Sequence, residues 1–393
     1  MREPHTPLPE ARHRDGAGPI GWSATALRAR VTVTGLSGHE ADLLDRAWSR
    51  CSPVSHANDS TGAPASPGTA LDRERAADWT TFHEELVFAM TRAGIESGRG
   101  ELLMFHAAAL AEPATGAAIA LVASSGTGKT TATRVLGRHL GYVTDETVAV
   151  DPAGGLVPFP KPLSVLPSTG RRPKSQLAPD DIALLPAPPS PCLARVAVLD
   201  RERTRGVERA TAHPLPLEEA LEWLSPQISS LSALTRGLVM LCRVLDGCGG
   251  ALRLNYSEAE QLVPLARGLL AAAAEPLQPV WRPLELTDNN DAPDLPGLFR
   301  RAAADDAVGI RRAPPADPHA AAGHDESVAV LHGERLTVLA GLGPVLWAAT
   351  ERWASREQLM RAVTDEFGEH PDAGALLDEK LSALQARGLL ERS

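Results

Sequence analysis

The chain has 393 residues, of which 43% are hydrophobic, so it is long enough to form two or three domains with sizeable cores. Its formal net charge of -10 argues against a dedicated nucleic-acid-binding protein, because contacts to phosphates require a basic face. Neither a signal-peptide core nor an apolar run of membrane length occurs, and the four cysteines form no CxxC pair, so we expect a cytoplasmic protein with incidental thiols.

The N-terminal part of the chain divides into two predicted regions. Residues 1–20 are polar and proline-bearing, and we expect them to be disordered. Residues 21–99 are predicted to form a small strand-and-helix region. In it "ALRARVTVTG" alternates as a half-buried strand does, and "HEADLLDRAWSRC" and "ADWTTFHEELVFAMTRAGIESG" have helical spacing. A loop rich in Ser, Pro and Gly separates the two predicted helices.

Residues 100–275 have the pattern of an α/β domain. Two apolar runs, "LLMFHAAALA" and "GAAIALVA", are predicted as strands, the second too apolar for a surface position. A helix, "KTTATRVLGRHLG", follows and leads into a further strand, "YVTDETVAV". Beyond the proline-broken segment "VPFPKPLSVLP", the strand "ARVAVLD" precedes a stretch that we expect to be helical as far as residue 275.

The turn between the second strand and the helix matches a phosphate-binding loop of the form GxxxxGK[ST], with Ala123 in place of the first glycine. Small residues there let successive backbone N–H groups and the positive end of the helix face phosphate oxygens. The lysine reaches the β- and γ-phosphates, and the hydroxyl after it binds Mg2+. The residues predicted to bind ATP are Ser124, Ser125, Gly126, Thr127, Gly128, Lys129, Thr130 and Thr131. The alternative is a glycine turn with a purely structural role.

Two adjacent acids, Asp145 and Glu146, follow Lys129 by sixteen and seventeen positions. A helix and a tight turn return their strand beside the phosphate-binding strand, so one carboxylate can approach a metal ion on the phosphates. The alternative interpretation is a solvated strand terminus. Lys161, in "FPKPL", is either a basic residue of the same site or a surface lysine.

These motifs, together with His106 in "FHAAAL", resemble the catalytic domain of HPr kinase/phosphorylase. That family has a histidine on the preceding strand, a phosphate loop and a Gly-x-x-x-x-Asp-Asp segment. Gly141 and the acids fit its spacing, with Glu146 where the family usually has a second aspartate. The resemblance covers roughly residues 100–270. It is closer to HPr-kinase-like enzymes of modified-peptide gene clusters, including those of lasso peptides, than to the HPr kinase of sugar control.

The resemblance implies an ATP- and Mg2+-dependent kinase with a division of roles. Asp145 would be the general base that takes the proton of the attacking hydroxyl, and Lys129 would bind the phosphates. His106 would order the site near the γ-phosphate, and a histidine satisfied at a strand end is the alternative. Thr130, Glu146 and Asp145 would hold Mg2+.

A loose, proline-rich segment, residues 276–325, is predicted as a linker to a C-terminal domain of residues 326–393. The pattern of that domain is a hairpin with strands at 327–331 and 335–339, then three helices, of which the second begins at the cap Ser355. Strands followed by three short helices indicate a small winged-helix-like domain. The last helix has few cations, so DNA recognition is disfavoured.

The order of the elements and the residue pattern of this domain resemble PqqD, a peptide-binding chaperone, and the recognition elements of ribosomally made, modified peptides. In that family a leader peptide adds a strand to the hairpin edge, where main-chain bonds give affinity and alternate pockets give selectivity. The contacts that the resemblance implies are Leu336 and Val338 of the strand and Leu377, Leu381 and Leu384 of the last helix. Each of these side chains could equally be plain core.

The expected fold is therefore α/β: a P-loop, HPr-kinase-like domain with a small N-terminal α/β region and a C-terminal winged-helix-like PqqD domain. The leading hypothesis is a kinase that phosphorylates a serine or threonine hydroxyl of a precursor peptide, with a lasso-type precursor as the first candidate. The alternatives are an HPr-type kinase/phosphorylase of carbon regulation and a peptide chaperone whose nucleotide site is regulatory or silent. The expected partner is the precursor's leader peptide, and neither nucleic acid nor a membrane is expected as a partner. HPr kinases are often hexameric, so a homo-oligomer is a further possibility.

Overall fold

The computed structural model describes residues 19–57, 70–124, 126–167, 170, 172–202, 206–272, 274–286, 296–311 and 326–393. Over these residues the chain is mixed α/β, with several sheets. Residues 1–18 of the segment predicted as disordered, and residues 58–69 of the predicted loop, lie outside the described residues. No helix in the described ranges combines the length and apolarity that crossing a membrane requires.

The N-terminal region is a four-stranded sheet with two helices. Its elements are β1 (Ile20–Ala26), β2 (Ala29–Leu36), α1 (Gly38–Ala47), β3 (Val54–Ala57), β4 (Ala70–Asp72) and α2 (Trp79–Gly98). The predicted strand and both helices are confirmed, and β1 adds a central strand in the sheet order β3-β1-β2-β4. Trp22 and Trp48 fill the core, and the Trp48 indole N–H donates to His83 Nε2 over 3.0 Å.

The central region contains two sheets, a two-stranded ribbon and four helices. Its elements are β5 (Leu103–Phe105), β6 (Ala107–Ala111), β7 (Ala117–Val122), α3 (Lys129–Leu136), β8 (Gly141–Thr144), β9 (Val148–Val150), β10 (Leu156–Val157), β11 (Leu163–Val165), β12 (Ser175–Leu177), β13 (Leu185–Pro186), β14 (Cys192–Arg201), β15 (Thr211–Leu215), α4 (Leu217–Leu224), β16 (Ile228–Ser229), α5 (Gly237–Gly247), β17 (Ala251–Tyr256) and α6 (Leu262–Ala271). The larger sheet has the order β13-β8-β6-β7-β14-β17-β15, and the smaller one has the order β10-β9-β5-β16. Helices α3 and α6 cover one face of the larger sheet, and α4 and α5 cover the other.

Two apolar segments of the central region each divide between the two sheets. The first breaks at His106 into β5 and β6, and the second breaks at residues 145–147 into β8 and β9. Because β6 pairs with β8 and β5 pairs with β9, the two breaks lie side by side. The prediction of one continuous strand for each segment is wrong. Both halves are buried, so the apolar run continues through the change of sheet.

The prediction of helical structure from β14 to residue 275 is correct only in part. The segment contains α4, α5 and α6, but β15, β16 and β17 lie among them. Strand β17 pairs with β14 in parallel and with β15 on its other side, so it is an internal strand. Its buried residues include Ala251 and Leu254, a spacing of three that a helix would also show.

The C-terminal region has a four-stranded antiparallel sheet, three helices and a two-stranded sheet. Its elements are β18 (Trp281–Pro283), β19 (Phe299–Arg301), β20 (Asp306–Arg311), β21 (Glu326–His332), β22 (Arg335–Leu339), α7 (Leu342–Ala349), α8 (Arg356–Phe367), α9 (Ala373–Ala386) and β23 (Leu390–Arg392). The larger sheet has the order β18-β20-β21-β22, and β19 pairs with β23. The predicted hairpin, the three helices and the Ser355 cap are confirmed.

The described parts of the predicted linker need a correction, because they belong to the C-terminal sheets. Residues 276–286 and 296–311 contain β18, β19 and β20, and β20 is an internal strand of the four-stranded sheet. Its side chains are buried from Asp306 to Ile310, on both faces. The run is short and followed by prolines, so its pattern does not stand out from a loop.

The four-stranded sheet packs between the central region and its own three helices. The side chains that join the core of α4 and α5 are Val308, Ile310, Ala329 and Leu331. Those that join the core of α7, α8 and α9 are Ala307, Val328, Val330 and Leu339. Asp306 strengthens the first contact, because its Oδ2 accepts the N–H of Val239 over 3.0 Å and its Oδ1 lies 3.1 Å from Arg236 Nε. Buried contacts therefore fix the C-terminal sheet against the central region.

Candidate active site

The glycine-rich turn joins the end of β7 to the start of α3. Gly126 and Gly128 have φ angles of 81° and 100°, in the left-handed region that favours glycine. A Cβ atom on Gly126 would meet no atom within 4 Å, so the turn is open at that residue. The Thr127 hydroxyl donates to the carbonyl of Ser124 over 2.7 Å and closes the turn. Ser125 lies outside the described residues. The glycines of the turn therefore lie where the backbone has left-handed φ angles, directly before the N-terminus of a helix.

Lys129 connects this turn to the two acids. It is the first residue of α3, and its ammonium donates to the carbonyl of His106 over 3.1 Å. Loss of solvation lowers the pKa of Lys129 to about 8, while Asp145 and Glu146 act in the opposite direction. The lysine thus contacts the residue next to Ala107, whose N–H donates to the carbonyl of Glu146. Four predicted site residues that are separate in the sequence therefore form one cluster: His106, Lys129, Asp145 and Glu146.

The two strand breaks explain why His106 and the acids meet. At the break between β5 and β6, the N–H of Ala107 donates to the carbonyl of Glu146 over 3.1 Å. At the break between β8 and β9, the N–H of Glu146 donates to Thr144 Oγ1 over 3.3 Å. The His106 N–H donates to the carbonyl of Gln227 over 2.6 Å. These hydrogen bonds hold the two breaks in place, and the bond from Lys129 to the His106 carbonyl links them to the end of the glycine-rich turn.

Lys161 ties the two acids together. Its ammonium lies 2.9 Å from Asp145 Oδ1 and 3.1 Å from Glu146 Oε2, and it also donates to the carbonyl of Pro162 over 3.2 Å. The Tyr142 hydroxyl lies 3.0 Å from the same Asp145 oxygen. The lysine is 1% exposed, so the interpretation as a surface lysine is wrong. The segment "FPKPL" carries it between two buried apolar positions, which is the signal in the sequence.

The charges of this cluster stabilise one another. Burial acts to lower the pKa of Lys161, but Asp145 and Glu146 together raise it above its ordinary value. Burial acts to raise the pKa of Glu146, and Lys161 more than offsets this, so the pKa lies below its ordinary value. Both partners are therefore charged at neutral pH.

Each carboxylate keeps one oxygen outside this network. Within the described ranges, the contacts of Asp145 are made through Oδ1 and those of Glu146 through Oε2, including one from Thr91 Oγ1 at 3.4 Å. Asp145 Oδ2 and Glu146 Oε1 are the oxygens that remain for a substrate or a metal ion. Asp145 is only 6% exposed, so access to its carboxylate is narrow.

The His106 imidazole is accessible from the site and favours its neutral form. Loss of solvation lowers its pKa first, and the Lys129 ammonium lowers it further, against the opposing effect of the acids. A neutral imidazole can donate one hydrogen bond and accept another. His106 can therefore orient a phosphate or a hydroxyl without adding a charge.

The donor set suits Mg2+ carried by a nucleotide. Mg2+ prefers oxygen ligands and commonly uses one or two carboxylates together with substrate phosphates. Thr130, half-buried in the first turn of α3, has a hydroxyl, and Glu146 Oε1 and Asp145 Oδ2 are the remaining carboxylate oxygens. Thr131 is exposed beside it. In the described part of the chain, no group of three or more His, Cys, Asp or Glu side chains is arranged to hold a metal ion by itself.

The residues predicted to contact a leader peptide do not lie on one open surface. Leu377, Leu381 and Leu384 are buried in the core beneath α7 and α8, with no more than 3% exposed. Leu336 and Val338 are half-buried against the core of α4 and α5. The two interpretations of these side chains are peptide contact and core packing, and core packing applies to the three leucines. Strand β22 pairs with β21 and with no other described strand, so its second edge is the part of the predicted peptide site that remains for a peptide strand.

Comparison with known proteins adds no relative. No model of a protein family matches the chain, and no curated protein matches it. The resemblances drawn from the sequence therefore stay hypotheses, and the geometry of the site carries the functional argument.

Proposed function

We propose that the chain is an ATP- and Mg2+-dependent kinase that phosphorylates a serine or threonine hydroxyl of a ribosomally made precursor peptide. The observation that carries this proposal is the position of Asp145 and Glu146, which Lys161 holds at the strand break beside His106, whose carbonyl accepts Lys129 at the end of the glycine-rich turn. Phosphoryl transfer needs positioned charges more than covalent chemistry, and this cluster supplies two cations and two anions.

The residues divide the reaction among them. The turn's backbone N–H groups and Lys129 bind the β- and γ-phosphates, and His106 orients the γ-phosphate. The acceptor hydroxyl oxygen attacks the γ-phosphorus, the bond to the β–γ bridging oxygen breaks, and ADP leaves. Asp145 Oδ2 accepts the hydroxyl proton, which in a loose transition state moves late. Thr130 and Glu146 Oε1 would hold Mg2+, which neutralises charge on the phosphates when bound.

The C-terminal sheet supports a peptide as the substrate class. A strand edge offers unpaired N–H and C=O groups, which an extended peptide can pair with in any sequence. The edge of β22 is of this kind among the described strands. Holding the leader there raises the local concentration of the acceptor hydroxyl. A folded carrier protein offers no such strand, which favours a peptide over the carrier of carbon regulation.

A second candidate function is a peptide chaperone with a regulatory or silent nucleotide site. The observation in its favour is the burial of Asp145, whose Oδ1 is already engaged by Lys161 and Tyr142. In this case the acids would support the fold of the strand break, and ATP would bind without transfer.

The test is incubation of the full chain with radiolabelled ATP, Mg2+ and the precursor peptide of a neighbouring gene. Asp145→Asn is compared with Asp365→Asn, an exposed residue of α8. We expect Asp145→Asn to lower the transfer rate by about 100-fold or more, because a positioned base contributes at least that much, while ATP still binds. Transfer by Asp145→Asn at the rate of the unmodified chain would exclude the proposed base. Peptide binding without transfer under any condition would favour the chaperone.

A further inference from the structure

A cleft of about 220 Å³ opens beside the glycine-rich turn, on the face of the larger sheet that α4 covers. Ser124 and Thr127 of the turn form one wall, and Trp223 of α4 and Gln227 form the opposite one. Val122, the last residue of β7, and Val198 of β14 form its apolar floor, and Asp200 and Arg201 at the end of β14 line it as well. Ser124 and Thr127 belong to the proposed phosphate loop, whereas His106, Lys129, Asp145 and Glu146 do not line the cleft.

The cleft borders the reacting end of the proposed triphosphate. The carbonyl of Gln227 accepts the His106 N–H over 2.6 Å, and the carbonyl of His106 accepts the Lys129 ammonium over 3.1 Å. Two hydrogen bonds therefore connect the cleft wall to the ammonium that would bind the β- and γ-phosphates. The nucleotide's base, which is attached at the other end of the triphosphate, would extend away from this point.

Trp223 is an exposed aromatic side chain that lies beside a cation. Its side chain is 46% exposed, and the Arg253 guanidinium lies 5.9 Å from its ring centroid. Arg253 is in turn ion-paired with Glu219, one turn earlier on α4. An exposed tryptophan offers a large contact area, and tryptophan is enriched among the residues that contribute most of the binding energy at interfaces.

Helix α4 and the residues that follow it border both the cleft and strand β22. Helix α4 packs against β22, and residues 225–227, which follow α4 and end at Gln227, also contact β22. Helix α4 therefore borders both the strand β22 and the cleft that Trp223 lines. The path from one site to the other runs along a single element.

We propose that this cleft holds the segment around the acceptor residue, with an apolar or aromatic side chain of the peptide against Trp223 and the acceptor hydroxyl toward His106. The inference rests on the proposed function and names the acceptor subsite that the kinase would use. The apolar floor and the indole of Trp223 select for an apolar neighbour of the phosphorylated residue.

The experiment compares Trp223→Ala, Trp223→Phe and Glu222→Ala in the full chain, with KM and kcat for the peptide, KM for ATP, and anisotropy of a labelled peptide. Glu222 is the preceding, exposed residue of α4 and does not line the cleft. We expect Trp223→Ala to raise the KM for the peptide about tenfold, as truncation of an aromatic anchor does, with KM for ATP within about twofold. Trp223→Phe should recover most of the affinity, and Glu222→Ala should behave as the unmodified chain.

Each other outcome would contradict a specific part of this inference or of the proposed function. A weaker KM for ATP with an unchanged KM for the peptide would assign the cleft to the nucleotide and overturn the inference. No change in either constant would also overturn it, and so would a loss of both that Trp223→Phe does not recover. If the unmodified chain transfers no phosphate, anisotropy still separates the claims. Weaker peptide binding by Trp223→Ala would then keep the cleft as a peptide site and reject the kinase, whereas unchanged binding would reject both.

Discussion

At the scale of single residues, Lys161 shows how a buried charge is stabilised. An ammonium has three N–H donors, and here three acceptors surround it: Asp145 Oδ1, Glu146 Oε2 and the carbonyl of Pro162. A buried cation without partners would be costly, and two adjacent buried carboxylates without a cation would repel each other. The lysine also determines which oxygen of each acid remains available to a ligand.

Removal of this cation should cost both stability and activity. Lys161→Met leaves the buried Asp145 and the half-buried Glu146 without their cation, so we expect a loss of about 3–5 kcal/mol in the free energy of unfolding, measured with urea. Lys174→Met, a lysine outside this network, should change it by less than about 0.5 kcal/mol. The double variant Lys161→Met with Asp145→Asn should recover part of the loss. Equal unfolding free energies for Lys161→Met and Lys174→Met would contradict the role assigned to the buried ammonium.

His83 predicts how stability depends on pH. Burial lowers its pKa to about 4, from 6.5, so the folded chain keeps it neutral as an acceptor for Trp48. Between pH 6.5 and 4 the unfolded chain binds a proton that the folded chain does not. The contribution is therefore fully present above pH 6.5 and is lost as the pH falls towards 4, by roughly 3 kcal/mol in total.

The measurement is the free energy of unfolding at pH 7 and pH 5, for the unmodified chain, His83→Gln and the exposed-histidine control His139→Gln. His83→Gln should weaken the loss of stability between the two pH values, and His139→Gln should leave it unchanged. An identical pH dependence in His83→Gln would show that other groups cause it.

At the scale of elements, the sequence predicts structure where a local pattern is complete. Helix α3 after its glycines, the hairpin of β21 and β22, and α8 with its Ser355 cap all carry their signals within a few residues. The breaks at His106 and Asp145 could not be predicted, because the choice of sheet depends on strands far away in the chain. For the same reason the sequence indicated the residues of the candidate site but neither the role of Lys161 nor the cleft beside Trp223.

Asp306 shows an element of one region capping a helix of another. From β20 its carboxylate accepts the N–H of Val239 in the first turn of α5 and pairs with Arg236. A negative charge at a helix N-terminus is favourable, and this one is 1% exposed.

We expect Asp306→Ala to lower the free energy of unfolding by about 3–5 kcal/mol, since it leaves Arg236 and a helix N–H without their partner. Asp306→Asn keeps an acceptor and should lose less. Thermal and urea unfolding measure both, with the exposed Glu285→Ala as the control. A loss in Asp306→Ala no larger than in Glu285→Ala would contradict the capping role.

At the scale of the whole molecule, the four-stranded sheet completes the core of the central region. Val308, Ile310, Ala329 and Leu331 pack with the side chains of α4 and α5. A chain ending at residue 275 would expose that apolar face to water. We expect it to aggregate, where the full chain gives a single species in size-exclusion chromatography at the same concentration. A monodisperse truncated chain with an unchanged melting temperature would show that the two regions fold independently.

The docking of this sheet has a consequence for how a substrate would be chosen. A helix is about 10 Å thick, and an extended peptide covers that distance with about three residues. Because β22 packs against α4 and Trp223 of α4 lines the cleft, the distance between the two proposed sites would fix the number of residues between the end of the leader and the acceptor. Inserting residues at that point of the peptide would then move the phosphate to a different serine, whereas changing distant residues would not.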